Sequence, residues 1–135
     1  MTLYPNSAAL ILAGLVKTGL ASSTLHLYKA ISSPLSPSTV LADLTEADFD
    51  GYNSITITAW LAAYLDPAGG ASIQSGTQQF NFVSVPLTTN VILGFFVKKA
   101  SGELMVVGSF TQPIAMTQDG DAIPVNVTLN FGASN

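Results

Sequence analysis

Glu46, Asp48 and Asp50, followed by Gly51, place three carboxylates at alternate positions before a glycine, the way a hard cation gathers oxygen ligands ahead of a sharp turn. The second half of such a loop would need a closing carboxylate at its twelfth position. Ile57 stands there, so a solvated acidic turn is the expectation. Asp119-Gly120-Asp121 is a second acidic pair, which a hairpin turn explains. His26 is the only histidine, so neither a histidine-based triad nor a two-histidine metal site can be built within one subunit. It is expected to be a surface-facing strand residue beside Tyr28, and one ion shared by copies around a threefold axis is the rival reading. Tyr52, Trp60 and Tyr64 could form a sugar-binding platform, although a single tryptophan more often packs in the core. Nothing marks any two acids as a glycosidase pair. Asn126-Val127-Thr128 matches a glycosylation acceptor but falls within a strand pattern. No catalytic, cofactor-binding or metal residue is assigned, and the expectation is a protein that is not an enzyme.

Composition points the same way. Hydrophobic residues make up 48% of the 135 residues and charged residues 9%, against roughly 25% charged in an ordinary soluble domain. The exposed surface must therefore rely on Ser, Thr, Asn and Gln, which suits a chain packed against neighbours. The net charge of −4 comes from eight acids and four lysines, with no arginine. Only Lys98 and Lys99 are adjacent, which argues against nucleic acid as a partner. With no cysteine, disulfides, thiolate metal sites and cysteine nucleophiles are excluded. The length fits one domain, residues 1–135, with a helical segment over 1–20 and a β domain over 24–135.

The elements that must position these residues begin with a helix from Pro5 to about Lys17. Asn6 or Ser7 can cap it, Leu12, Leu15 and Val16 fall at helical spacing, and Gly19 can end it. No positive segment precedes its apolar run, so a signal peptide is not expected, and the run is too short to span a membrane. Thr24 to Ala30 reads as a strand with Leu25 and Leu27 inward and His26 and Tyr28 outward. A loop over Ser32 to Ser38 is stiffened by Pro34 and Pro37.

Asp43 and Glu46 have the spacing of a reciprocal helix cap. After the turn they would start, Phe49 and Tyr52 can plug the corner at Gly51. Ile55, Ile57 and Ala59 then alternate with Thr56, Thr58 and Trp60 as a half-buried strand. Leu61 to Leu65 is read as extended, with a break at Asp66-Pro67 and Gly69-Gly70. Residues 71–79 read as a polar mobile loop that orders against a partner. Phe80, Phe82 and Val85 share a strand closed by Pro86. Val91 to Lys99 and Glu103 to Phe110 form a hairpin around Ser101-Gly102, with Gly94 and Gly108 as bulges or close backbone approaches. Beyond Pro113 a polar loop leads to a last strand carrying Val125, Val127, Leu129 and Phe131. Consecutive strands without intervening helices predict an all-β fold, an antiparallel β-sandwich or barrel of six to eight strands with a short N-terminal helix.

Leu25, Leu27, Tyr28, Pro37, Thr39, Val40, Asp43, Leu44, Thr45, Glu46, Ala47, Phe49, Gly51 and Tyr52 follow a pattern of L-x-L-[YF], a Pro/Ser loop and T-V-x-x-[DN]-[LF]-T-E-A-x-F-x-G-Y. Over about residues 25–60 the chain thus resembles small tailed-phage virion proteins of the head decoration (cement) type. The resemblance implies a structural protein on the capsid surface that bridges capsomers. It also implies a homo-oligomer, such as a trimer over capsid threefold positions, with the major capsid protein as partner; from the residues themselves no cofactor, nucleic acid or membrane is expected. A tail or fibre component and a small glycan-binding module remain as alternatives. The partner contacts are expected in the N-terminal segment and the 66–79 loop.

Overall fold

The computed structural model describes residues 5–67, 69–84 and 87–131. Its elements, in chain order, are one helix, α1 (Asn6–Gly19), and eight strands: β1 (Thr24–Ile31), β2 (Leu44–Glu46), β3 (Ile55–Thr56), β4 (Tyr64–Leu65), β5 (Ala71–Asn81), β6 (Asn90–Lys98), β7 (Leu104–Met116) and β8 (Ala122–Phe131). They form two antiparallel sheets. The larger runs β2-β1-β6-β7, with β3 also on β1, and the smaller runs β4-β5-β8. The all-β expectation holds, in its open two-sheet form rather than as a closed barrel.

The chain divides into two compact units. One comprises residues 5–22, 57–78 and 125–131, the other residues 23–56 and 79–124. In the first, Ala9, Ala13, Leu20, Ile57, Trp60, Ile73, Val125 and Val127 are buried. The helix thus buries a small-residue face. Leu15 and Ile11, each 65% exposed, lie on the outer side, whereas Leu12 and Val16, at helical spacing from Leu15, are half-buried. Pro5 precedes the helix with no side-chain cap, and its carbonyl takes the Ala9 N–H at 3.1 Å. In the second unit, Leu25, Leu27, Tyr28, Phe49, Phe80, Phe82, Ile92, Phe96 and Val97 form the core.

The sharpest correction concerns residues 71–79. They are not a mobile loop but most of β5, the middle strand of the smaller sheet. Ala71, Ser72, Ile73 and Ser75 are buried there, and the polar side chains pair across the sheet. Asn126 Nδ2 donates to Gln74 Oε1 at 2.9 Å, Asn130 Nδ2 to Ser72 Oγ at 2.8 Å, and the Val127 N–H to Ser75 Oγ at 3.0 Å. Composition could not reveal this, because each polar group is satisfied by a residue more than fifty positions away.

The strand expected over residues 55–60 shrinks to Ile55–Thr56, where β3 pairs with β1. The alternation fails at Ala59, which is exposed, whereas Trp60 is buried and its Nε1–H donates to the Leu20 carbonyl at 3.2 Å. The reciprocal cap is also displaced. Leu41–Asp43 is a single 3₁₀ turn whose Asp43 carboxylate takes the Val40 N–H at 3.0 Å, and Glu46 belongs to β2. Pro113 does not end the hairpin, since β7 continues to Met116, with an irregular register opposite Ile92 and Gly94. Val85 and Pro86 lie outside the described residues.

The β6-β7 hairpin itself forms as read, with Lys99 N–H to the Glu103 carbonyl at 2.9 Å and Gly102 at φ +98°. Gly94 and Gly108 are points of close approach. A Cβ on Gly94 would lie 2.1 Å from the Gly108 carbonyl oxygen and 2.6 Å from the Tyr28 hydroxyl.

Candidate functional site

The second unit gathers its most reactive groups at one corner. On β1, Thr24 and His26 share a face two residues apart, which brings Thr24 Oγ1 to 2.7 Å from His26 Nε2. Beside β1, β2 delivers Glu46, whose Oε2 lies 2.6 Å from His26 Nδ1. The Tyr52 hydroxyl donates to the same oxygen at 2.7 Å and accepts the Leu27 N–H at 3.1 Å. With Glu46 ionised, chemistry assigns Nδ1–H as donor to the carboxylate and Nε2 as acceptor from Thr24. The imidazole stacks on Phe96, its neighbour on β6, with centroids 4.8 Å apart. His26 is only 5% exposed. The expectation of an outward His26 and Tyr28 is therefore corrected: four successive β1 residues, Leu25 to Tyr28, are buried, because both faces of the strand are covered.

Hydroxyl, imidazole and carboxylate stand in the atom order of a nucleophile and its general base. Such a group works only with donors free to hold an oxyanion about 3 Å from the nucleophile. Here Thr24 is set between paired strands, opposite Lys98 on one side and Thr56 on the other. What the arrangement does is hold β2 and the corner after it onto β1. Phe49 and Tyr52 complete that hold, as read from the sequence. Phe49 stacks with Phe82 at 6.0 Å, Tyr52 with Phe80 at 5.8 Å, and the two meet edge to face at 5.3 Å. Burial, together with the adjacent Glu46 carboxylate, pushes the Tyr52 phenol well above its ordinary range.

The acids of the calcium-like run have separate partners. Glu46 serves His26 and Tyr52. Asp48 takes Lys29 Nζ at 2.8 Å and Asn90 Nδ2 at 2.9 Å, while its own N–H donates to Asn90 Oδ1 at 2.8 Å. The Lys29 and Asn90 hydrogen bonds hold the Asp48 carboxyl below the usual carboxylate range. Asp50 accepts the Leu87 and Thr88 N–H groups at 2.5 and 3.0 Å. Gly51, at φ +84°, turns against Val83. Asp119 accepts the Ser84 N–H. Asp121 accepts those of Thr117 and Gln118, which lower its pKa. With Asp43 and Asp66, whose carboxylates also accept from the chain, seven of the eight acids are engaged in turns and corners. The eighth, Glu103, has the Ser101 hydroxyl at 3.5 Å.

The aromatic trio is not assembled as a platform. Tyr52 lies against Phe80, Trp60 is 5% exposed, and the Tyr64 hydroxyl accepts from Gln74 at 3.4 Å. An open groove of about 310 Å³ in the first unit is lined by Lys17, Thr18, Ala21, Thr58, Ala59 and Trp60. Sequence reasoning missed the joining of Thr24, His26 and Glu46, and of Asp48 with Asn90. The available signal was Thr-x-His on one strand face, which becomes informative only once the twenty-residue return to Glu46 is known. No family model, curated protein or solved structure matches this chain.

Proposed function

We propose that the chain is a structural protein of a tailed-phage particle, a head decoration (cement) protein on the capsid surface that stabilises the shell by bridging capsomers. The observation that carries this reading is the engagement of the acids: seven of eight carboxylates hold the fold's own corners. What remains for a partner is a sparsely charged surface studded with apolar side chains such as Ile11, Leu15, Val40, Leu61 and Leu87. A surface of that kind favours close, lasting contact with neighbouring protein over turnover of a small substrate. The resemblance over residues 25–60 supplies the particular assembly, and most of its matched apolar residues lie in the buried corner of the second unit.

In this reading the protein forms a homo-oligomer, a trimer over threefold positions, with the major capsid protein as its partner and no catalytic step. Parting two capsomers would then require breaking the decoration contacts as well. The partner contacts fall on α1's exposed side and on exposed loop residues, since β5 is committed to the sheet. A tail or fibre component would share these features at a few copies per particle. A glycan-binding reading has the groove beside Trp60 in its favour.

The test is co-sedimentation of the purified protein with particles lacking it. Saturable binding at a fixed ratio to the shell protein, with a higher temperature of shell rupture, is expected. Binding confined to tails would move the protein there, and binding to sugar arrays but not particles would favour the glycan reading.

A further inference from the structure

The edges of the two sheets differ in how they are finished. The larger sheet ends on one side in β2 and β3, of three and two residues. On the other side β7 is interrupted by register shifts against β6 and carries Pro113. The smaller sheet ends on one side in β4, of two residues. Short strands, bulges and proline are the usual means of keeping a sheet edge from pairing with another chain. β8 departs from the pattern. It runs ten residues with regular alternation of buried and exposed positions and, among the described residues, pairs with β5 alone.

Backbone polar groups alternate sides along a strand, and Val127 directs its N–H toward Ser75 on β5. Asn126, Thr128 and Asn130 therefore direct their N–H and C=O groups to the free edge. Pro124, in the same register, lacks an N–H on that side and so blunts the first residues of this edge, leaving residues 125–131 open.

We infer that the free edge of β8 pairs antiparallel with β8 of a second copy across a twofold axis at Thr128. Thr128 would face its own counterpart and Asn126 the partner copy's Asn130 position, giving about six backbone hydrogen bonds from three reciprocal pairs. The occupant follows from charge and symmetry. No residue from Ala122 to Phe131 is charged, on a chain of net charge −4, so two copies can approach here without opposing like charges. An antiparallel pair is also self-complementary, which lets one strand serve both sides. The overlap about Thr128 runs over residues 125–131, and a strip of about 23 Å by 10 Å on each copy covers roughly 460 Å² in total, below the ~1,200 Å² of standard stable interfaces. The contact is consequently weak in free solution and strong where copies are already held side by side. It stands independently of the particle reading and, being twofold, is separate from a threefold contact.

Sedimentation equilibrium over a wide concentration range tests it, with wild type, Thr128→Pro, Thr128→Lys and, as a control on the blunted edge, Thr111→Lys. The expected result is concentration-dependent pairing in wild type and Thr111→Lys, weakened at least tenfold in both Thr128 variants. Unfolding midpoints should be unchanged in Thr128→Lys. If Thr128→Pro proves unfolded, Thr128→Lys alone decides. A wild type that stays monomeric at 10 mg/ml, roughly the concentration a weak ~0.7 mM contact would need, overturns the inference. So does twofold pairing, of monomers into dimers or of trimers into hexamers, that persists in Thr128→Lys, whether or not particles bind the protein.

Discussion

Replacing Tyr52 by Phe keeps both ring contacts, with Phe49 at 5.3 Å and Phe80 at 5.8 Å, and removes one oxygen. That oxygen is the acceptor for the Leu27 N–H, on a residue with 0% exposure, and the donor to Glu46 Oε2. An orphaned buried amide costs about 1–3 kcal/mol. Losing the bond to Glu46 adds only about 0.5 kcal/mol, because that side chain is 41% exposed and water replaces the phenol. The sum is about 2.5 kcal/mol, equivalent to a fall of about 9 °C in Tm for a chain of this size. Urea unfolding followed by Trp60 fluorescence measures it.

The same phenol governs an alkaline limb. Burial first, and then the Glu46 carboxylate, raises its pKa in the folded state above the ordinary 10.0. The native state therefore holds this proton more tightly than the unfolded chain. Its contribution is complete below about pH 10 and is lost as pH rises toward the folded value. Tyr52→Phe should shrink this limb, leaving the part that the buried Tyr28 phenol, also raised by burial, contributes. A variant within about 0.5 kcal/mol of wild type, or one whose alkaline loss is undiminished, would refute the reasoning.

Gly94→Ala places a Cβ against the Gly108 carbonyl, which the paired backbone cannot move aside. A loss of more than about 3 kcal/mol, or failure to fold, is expected by circular dichroism. At low pH, Asp48, held below its ordinary 3.8 chiefly by Lys29, contributes stability that is present above that value and lost as pH falls through the folded value. Asp48→Asn should flatten the acid limb below about pH 4 in thermal melts. Ser75→Ala removes the acceptor of the buried Val127 N–H and should cost about 1–2 kcal/mol in urea unfolding. Residues 71–79, as the middle of a sheet, should resist limited proteolysis under native conditions. Early cleavage there would contradict the β5 assignment.

Local signals with local causes were legible in the sequence. The alternation of Val125, Val127 and Leu129 appears as β8, and Ser101-Gly102 closes the hairpin as its turn chemistry requires. The plug formed by Phe49 and Tyr52 was readable because two aromatics beside Gly51 have few other places to go. What escaped depended on distant partners. Gln74 and Ser75 look like loop residues until Asn126 and Val127 stand beside them. His26 looks exposed until Phe96 covers it and Glu46 caps it. Period-two reasoning assumes one wet face, so it failed on β1, where both faces are covered. On the helix, large apolar residues drew attention away from Ala9 and Ala13, whose size permits the close approach that buries them.

The central claim is that this fold is a building piece of a particle, with its acids engaged in its own turns and corners and its weakly charged surface given to neighbours. Quantitative mass spectrometry of purified particles from the source of this sequence tests it most directly, as copies of this chain per copy of the major shell protein. A ratio near one, or a simple fraction of it, is the predicted result. A handful of copies would place the chain on the tail instead, and its complete absence from particles would contradict the account.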